Sequence, residues 1–431
     1  MTLTIQILLA AFALLLVLGV PISIALLLAS AAAMLAATPV AYDLTQIPLQ
    51  LSESTGSFPL LAIPFVVLAG NIMSRGGMSE RLIDLARSMV GRVPGGIAMV
   101  SVLACMFFAA VSGSSAATTA AIGLVLIPAM RQSGFSIGAA TGLQATAGSI
   151  GIVIPPSVPF VLLGVVGGLS IGKLFIGGII PGVLMALSLM GVAFLHAKFQ
   201  KHPPSSAAPS LAIFLRALAR AVLPLLTVLF VLGGILGGYV TPTEAAVIAV
   251  LWALVVSGLF YRQLTRHDLR EALVDTVKVT AIVVLCIGAT TPFAWLLTVE
   301  DVPQRFATAM LEATSNPVVI KLMMLVILLA VGTIIDLTPA MILLLPILMP
   351  VATGLGMDPV HFGVVLVLAL AIGQSTPPVG VSLFVACSVA KARMGQVALP
   401  IVPFLLALLV ALLVVTFWPG AVLWLPQWLG P

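Results

Sequence analysis

The stretch that decides the fold is "IGQSTPPVGVSLF", residues 372–384, which places three polar side chains and two adjacent prolines inside a long apolar run. A second stretch, "IGIVIPPSVPF" at residues 150–160, repeats the two prolines 222 positions earlier. Proline lacks an N–H and its ring clashes with the preceding helical turn, so each pair predicts a broken helix. The helix-breaking residues are Pro155, Pro156, Pro377 and Pro378.

The offset of 222 residues recurs along both halves of the chain and predicts an internal duplication. At this offset, several prolines and glycines of the first half align with the same residue type in the second half. The predicted order of hairpin, broken helix and long helix is also the same in both halves. The matches are Pro128 with Pro350, Gly134 with Gly356, Gly151 with Gly373, and Pro181 with Pro403.

Composition places the chain in the membrane. Hydrophobic residues make up 61% of the sequence, charged residues 7%, and the mean hydropathy is +1.28, whereas soluble domains carry about 25% charged residues. Apolar runs long enough to span a bilayer recur from Leu3 to Trp418, which excludes a sizeable soluble domain. The three cysteines and four histidines show no ligand spacing, so we expect no disulfide and no transition-metal site.

We predict an all-α polytopic protein with two repeats, each holding a re-entrant helical hairpin and a broken transmembrane helix. The charged stretches at 78–93, 264–275 and 300–315 are expected at the interface. Separate helices are expected at 277–298 and 396–418. The predicted regions are 1–75, N-terminal scaffold helices; 76–199, the first repeat with its interfacial arm, hairpin, broken helix and long helix; 200–275, linker and scaffold helices; and 276–431, the second repeat.

Positive charge predicts the orientation. When the chain is followed through the predicted spans, 15 of the 18 Lys and Arg residues lie on one side of the membrane, and this side is assigned to the cytoplasm. The other three are Lys173, Arg305 and Lys321. Both termini are then periplasmic, and the two hairpins enter from opposite sides, so the repeats are inverted. This basic belt faces anionic headgroups and accounts for the net charge of +5, so no nucleic-acid partner is expected.

Broken helices in inverted repeats are typical of secondary transporters that bind their cargo near the bilayer midplane. A carbonyl freed by proline costs several kcal/mol in lipid unless a cation, water or substrate replaces its lost partner. Sodium fits, because it takes oxygen ligands and could use freed carbonyls with the hydroxyls of Ser375 and Thr376. The half-helix beginning near Val379 should offer free N–H groups to an anionic substrate.

Each predicted hairpin tip is also polar. The first tip is "SGSSAATT", residues 112–119, and the second is "GTIIDLTPA", residues 332–340. Asp336 is the one carboxylate that we place at membrane depth, which makes it a functional candidate. Two readings stay open: the small residues could serve close helix packing, and Asp336 could cap the following helix.

Three motifs together resemble the large membrane subunit of tripartite ATP-independent periplasmic (TRAP) transporters: "SGSSAATTAAIGLVLIPAM", "GSIGIVIPPSVPFVLLG" and "GQSTPPVGVSLFV". The resemblance covers essentially the whole chain. It implies an elevator-type carrier of the bacterial inner membrane, with sodium as coupling ion and no other cofactor or metal. It also implies a small four-helix membrane subunit and a periplasmic binding protein that delivers an organic acid such as a dicarboxylate.

The resemblance further implies two sodium sites by motif position. The first would use Ser112, Gly113, Ser115, Gly148, Ser149 and Gly151. The second would use Gly332, Thr333, Asp336, Thr338, Gly373, Gln374, Ser375 and Thr376, with substrate held between the two. The related divalent-anion symporters carry Asn within their tip motif, whereas this chain has Gly113 and Ser114, which disfavours that branch.

The sequence gives little support to an enzymatic function. The stretch "GGLSIGKL", residues 167–174, approaches a phosphate loop, but Leu174 stands where Ser or Thr would bind Mg²⁺. Aspartyl proteolysis needs a second carboxylate beside Asp336, and only His361 is even a remote partner for a serine nucleophile. We therefore expect no enzyme. A stand-alone sodium/anion symporter of similar fold remains an alternative.

Overall fold

The computed structural model describes residues 2–36, 42–90, 93–201, 210–378 and 380–429. Most of the predicted linker at 200–210 lies outside this part of the chain, as do Arg92 and Val379. The described residues are mostly helical and contain no β-strand, which confirms the all-α prediction. Seven of the described helices are long and apolar enough to cross a membrane, and an eighth span is possible if one bent pair counts.

Twenty-one α-helices are present in the described ranges, besides two short 3-10 helices (Phe58–Leu61 and Ser149–Ile152) and one π-helical turn (Val255–Phe260). The first half contains α1 (Leu3–Val17), α2 (Ile22–Ala36), α3 (Gln46–Thr55), α4 (Ala62–Arg75), α5 (Met78–Met89), α6 (Gly96–Ser112), α7 (Ser115–Gln132), α8 (Ile137–Gly148), α9 (Val158–Gly167) and α10 (Ile171–Phe199). The second contains α11 (Leu211–Leu236), α12 (Pro242–Leu254), α13 (Arg266–Val299), α14 (Val302–Ala313), α15 (Pro317–Ile334), α16 (Leu337–Gly354), α17 (Pro359–Gly373), α18 (Val381–Ala390), α19 (Met394–Val397), α20 (Val402–Phe417) and α21 (Gly420–Leu429).

The 222-residue offset recurs in the helix bounds. The offset carries both ends of α7 onto those of α16, and the first residue of α8 onto that of α17. The Pro155–Pro156 and Pro377–Pro378 peptide bonds, which are both cis, keep the same spacing. Inversion of the two halves across the bilayer, the four-region division and the elevator motion stay predictions.

The two halves interlock around their broken helices. Helices α6 and α7 form the first hairpin, and α15 and α16 form the second. The second part of each broken helix leaves its own half: α18 packs against α7 and α8, while α9 packs against α16. Each hairpin is therefore held partly by the other half of the chain.

Helix α4 is held between α12 and α13 by an ionic and polar contact. The Arg75 guanidinium pairs with the carboxylates of Glu271 and Asp275, the latter at 2.8 Å. Asn71 donates to the Thr276 hydroxyl at 3.1 Å. The helix boundary predicted between 264–275 and 277–298 is wrong, because one helix, α13, runs unbroken from Arg266 to Val299. The interfacial location of its charged first part stays a prediction.

The predicted last helix is also shorter than expected. Helix α20 ends at Phe417, and after a bend of 58° the chain continues as α21, which was not predicted. Pro419 follows the end of α20 and cannot continue its hydrogen bonding, which explains the bend. The amphipathic helix α3, which packs on α13, was also missed because it contains few apolar residues.

Candidate functional site

At the second helix break, several backbone groups form hydrogen bonds with each other. The N–H of Thr376 donates to the Gly373 carbonyl at 2.9 Å, a tighter turn than the interrupted α-helix. The Gln374 carbonyl accepts from the N–H groups of Ser382 at 3.0 Å and Leu383 at 3.3 Å. The prediction of free N–H groups in this half-helix is therefore wrong for these two residues, because the chain folds back and uses them internally. Val379, where that half-helix was predicted to begin, lies outside the described residues.

Carbonyls at both breaks keep their lone pairs available, and two of them lie beside a glycine. Among the described residues, no donor reaches the carbonyl oxygen of Thr376 or of Pro156. A methyl group at Gly113 would lie 2.8 Å from the Pro156 oxygen, and one at Gly380 would lie 2.8 Å from the Thr376 oxygen. Each free carbonyl thus faces a glycine, which leaves room on the side where a cation could bind.

Gln374 joins the two hairpin tips. Its Oε1 accepts from the Ser115 hydroxyl of the first tip at 2.8 Å, and its Nε2 donates to Oδ1 of Asp336 in the second tip at 2.7 Å. Gln374 is buried, with 6% of its surface exposed. Asp336 also occupies the N-cap position of α16, so a capping role and an ion-site role both stay predictions. Ser115, predicted for the first ion site, instead contacts the second.

The first tip forms a compact cluster of hydroxyl groups. Thr118 donates to the Ser114 carbonyl at 2.8 Å and lies 3.3 Å from the Ser112 hydroxyl. A methyl group at Gly151 would lie 2.5 Å from the Thr118 hydroxyl, so the first broken helix meets this cluster closely. The structure therefore brings the predicted residues Ser112, Gly113 and Gly151 together.

Thr119 is a polar residue that the sequence reasoning missed. Its hydroxyl is fully buried and has no hydrogen-bond partner among the described residues. A methyl group at Gly148 would lie only 1.7 Å from this oxygen, which places Thr119 against the first helix break. Ser382 in α18 is likewise buried without a partner. The doublet of threonines in the first tip was the only available signal.

The second tip touches its own broken helix through glycines. A methyl group at Gly373 would lie 2.5 Å from the backbone of Gly332, so α15 and α17 approach at the distance of backbone contact. Small residues allow such approaches between membrane helices. This contact fixes Asp336 and Gln374 relative to each other, since each follows one of the two glycines within four residues.

Several predicted ligands point toward helices rather than toward a shared centre. Ser149, Thr333 and Thr376 donate to carbonyls of their own helices at 2.7 to 2.8 Å. Ser375 donates to the Ala145 carbonyl of α8 at 3.0 Å, which ties the second break to the first. Thr338 is half-buried in the first turn of α16. A hydroxyl that donates its hydrogen still presents oxygen lone pairs, so these bonds do not exclude cation binding.

The two tips differ in exposure. Ser112 is 2% exposed, whereas Ile334, its equivalent at the 222-residue offset, is 63% exposed. Asp336 and Pro378 are exposed, while the corresponding Pro156 is buried. The second tip therefore opens to the outside of the folded chain and the first tip is closed.

The ligand atoms available at the hairpin tips and helix breaks suit a small hard cation. They are hydroxyls, backbone carbonyls and one carboxylate, all oxygen ligands of the kind that such ions prefer. No group of three or more His, Cys, Asp or Glu among the described residues could hold a metal ion. His361 is buried and its Nε2 lies 2.8 Å from the Val415 carbonyl, so it is not paired with a serine.

Comparison with known proteins places this architecture in a family. The family model described as "Tripartite ATP-independent periplasmic transporter, DctM component" matches residues 9–421. The isethionate TRAP transporter permease protein DctMQ of Oleidesulfovibrio alaskensis is 43% identical over 95% of this chain, which spans 64% of that relative's length. The C4-dicarboxylate TRAP transporter large permease protein DctM of Pseudomonas aeruginosa is 39% identical over 89% of each chain.

The fold also resembles a solved transporter structure. The YdaH transporter of Alcanivorax borkumensis superposes with a TM-score of 0.65 at 19% identity, over 98% of this chain and 100% of the other. Identity at this level speaks for a shared fold alone. The match to the family model and the identity to curated permeases carry the assignment: the chain is a membrane transport protein and belongs to the DctM family, the large permease component of TRAP transporters.

Proposed function

We propose that this chain takes up a small organic anion, coupled to sodium entry, as the large permease subunit of a tripartite transporter in the bacterial inner membrane. The observation that carries the proposal is the Gln374 bridge, which links Ser115 of one hairpin tip to Asp336 of the other at 2.8 and 2.7 Å. Through this bridge, an ion bound at either tip can influence the substrate position between them.

Sodium coupling is supported by the oxygen atoms that remain available at the breaks. The free carbonyls of Thr376 and Pro156 lie beside Gly380 and Gly113. The unpartnered Thr119 hydroxyl lies beside Gly148 in the first half. A polar atom buried without a partner costs about 1 to 3 kcal/mol, so a bound cation at these positions would offset a real penalty.

The substrate class is proposed from relatives and from charge. The curated relatives are named for isethionate and for C4-dicarboxylates, both small organic anions. Sodium ions bound at the tips would supply positive charge beside such an anion. The partners proposed from the family are a small four-helix membrane subunit and a periplasmic binding protein that delivers the anion.

The test is uptake of radiolabelled succinate and isethionate into proteoliposomes that hold this chain, with and without the two partners, under an inward sodium gradient. We expect uptake only with both partners and with sodium. Uptake by the chain alone would overturn the tripartite working unit and support a stand-alone symporter. Uptake that ignores the sodium gradient would overturn sodium coupling.

Single substitutions then address the ion sites in the same assay. Thr119→Ala and Thr376→Ala are expected to raise the sodium concentration for half-maximal uptake severalfold, because each removes an oxygen beside a helix break. The matched control is Thr353→Ala in α16, whose exposed hydroxyl bonds only to its own helix. An unchanged sodium dependence in both site variants would overturn this placement of the ion sites.

A further inference from the structure

A long cleft between α10 and α11 lies apart from the hairpin tips. It has two sections that meet at Leu236. One is a cavity of about 600 Å³ whose polar lining includes Ser170 and Lys173. The other is a groove of about 520 Å³ lined only by apolar residues, among them Phe107 of α6 and Leu229 of α11.

The apolar section has the length of one bilayer leaflet. Ile176, Ile179 and Val183 line the cleft along α10 at spacings of three and four residues, so they share one face of the helix. Along α11 the lining of the apolar section runs from Leu225 to Leu236, over which the helix rises about 16 Å, and half of a hydrocarbon core is about 15 Å. The cleft therefore matches an acyl chain in both length and polarity.

The polar section carries positive charge and no opposing carboxylate. Lys173 is exposed at its edge, and α10 begins at Ile171, so the positive end of a 29-residue helix faces the same cavity. The residues that line this cavity include no Asp or Glu. An exposed lysine and the positive end of a helix, with no carboxylate in the lining, favour an anionic group such as a phosphate.

We propose that the cleft binds one anionic phospholipid, with an acyl chain in the apolar groove and the phosphate beside Lys173. The continuity of the two sections at Leu236 is why we assign the phosphate to a lipid and not to a free anion or a nucleotide. The groove runs between α6 of the first hairpin and α11, so the bound lipid would lie at the boundary between these two elements.

The proposed preference of the cleft for an anionic headgroup is tested by lipid retention. The complete chain is stripped of lipid, incubated with phosphatidylglycerol or phosphatidylcholine of the same acyl chains, and examined by native mass spectrometry. We expect one retained phosphatidylglycerol in preference to phosphatidylcholine. Lys173→Gln should weaken phosphatidylglycerol binding about fivefold and phosphatidylcholine binding less, because choline offsets the charge of its phosphate, while Lys173→Arg should preserve the preference. Equal retention of both lipids, or no effect of Lys173→Gln, would overturn the proposal.

The groove is tested by filling it. A Cβ added at Gly233 would meet nothing closer than 3.9 Å, so Gly233→Trp has room to enter the groove and should abolish retention of both lipids. Gly191→Trp in α10 is the matched control, since it also has open space within 4 Å but does not line the cleft. Glycerophosphoglycerol, which has the headgroup without acyl chains, should not compete. Competition as strong as that of the lipid would identify a free-phosphate site and contradict the proposal.

Discussion

Gln374 shows how one side chain can connect two distant parts of the chain. Its amide offers one acceptor and one donor, and the structure uses the acceptor for Ser115 and the donor for Asp336. Both hydrogen-bond partners belong to hairpin tips, and Gln374 itself belongs to a helix break. The residue therefore acts as the contact through which the two predicted ion sites meet.

Gln374→Leu keeps the approximate size of the side chain but removes both hydrogen bonds. We expect about 1 to 3 kcal/mol of lost stability, because the Ser115 hydroxyl and the Asp336 carboxylate lose their partner. Uptake should fall at least tenfold, and the sodium dependence should become less steep. Thermal melting and sodium titration of uptake measure the two effects, and retention of wild-type sodium dependence would contradict the bridging role.

Glu300 makes a second polar contact, at the junction of α13 and α14. Burial alone would raise the pKa of its carboxyl, but hydrogen bonds from Thr2, Tyr42 and Thr4 outweigh burial and hold the pKa below its ordinary value. A lowered pKa contributes stability above the ordinary pKa of the unfolded chain, and this contribution is lost as pH falls through the lowered value.

Glu300→Gln is therefore expected to lower the melting temperature at about pH 7 and to have a progressively smaller effect as the pH falls below about 4. The loss at neutral pH should be on the order of 1 kcal/mol, since the group is only partly buried. Thermal unfolding of both proteins across this pH range provides the measurement. A difference that stays constant with pH would show that the carboxylate charge is not involved.

At the scale of helices, α15 and α17 approach each other at the distance of backbone contact at Gly332 and Gly373. The contact lies between backbones, so neither helix can yield by rotating a side chain. In the first half, glycines of the broken helix also lie against the hairpin, but they meet side chains: Gly148 lies against the Thr119 hydroxyl and Gly151 against the Thr118 hydroxyl. Both hairpins are thus seated on their broken helices through glycine.

Gly373→Ala is expected to push α15 away from α17 and to cost about 1 to 3 kcal/mol. The loss of uptake should be larger than the loss of stability alone would cause, because Gln374, which follows Gly373, would be displaced together with α17. Gly191→Ala is the control: its added methyl group meets nothing within 4 Å, so it should be neutral or slightly stabilising. Equal melting temperatures and uptake for the two variants would show that the close approach is not needed.

The molecule as a whole is asymmetric although its halves correspond in sequence. Ser112 and Ile334 occupy equivalent positions, yet one is 2% and the other 63% exposed. For the elevator-type carrier predicted from the sequence, in which we expect the two tips to be exposed in turn, this structure corresponds to the state with the second tip open and the first closed.

Cysteine labelling tests this asymmetry, since Cys105, Cys286 and Cys387 are buried and provide a quiet background. A cysteine replacing Ile334 should react readily with a water-soluble maleimide in proteoliposomes, whereas one replacing Ser112 should react at least tenfold more slowly. Sodium and substrate should change the two rates in opposite directions. Rates that shift together would contradict alternating exposure of the tips.

The membrane location, the all-α fold, the hairpins and the helix breaks could be predicted from the sequence. These features depend on local causes: apolar runs of bilayer length, prolines without N–H groups, and glycines beside small polar residues. The 222-residue offset found in the sequence likewise recurs in the helix bounds. The breaks near Pro156 and Pro378 needed no tertiary information, because proline acts on its own turn.

Only the tertiary structure decided which polar groups meet. Gln374 bonds to Ser115, 259 residues away in the chain. Arg75 pairs with Glu271 and Asp275 of α13, a helix that the sequence analysis had split in two because of its charged residues. The Thr119 hydroxyl lies against Gly148 and has no partner among the described residues. Such contacts depend on how helices interlock, and α18 leaves its own half to pack on α7 and α8. Local patterns specify where a helix bends, whereas the partner of a buried polar atom is fixed by packing between segments far apart in the chain.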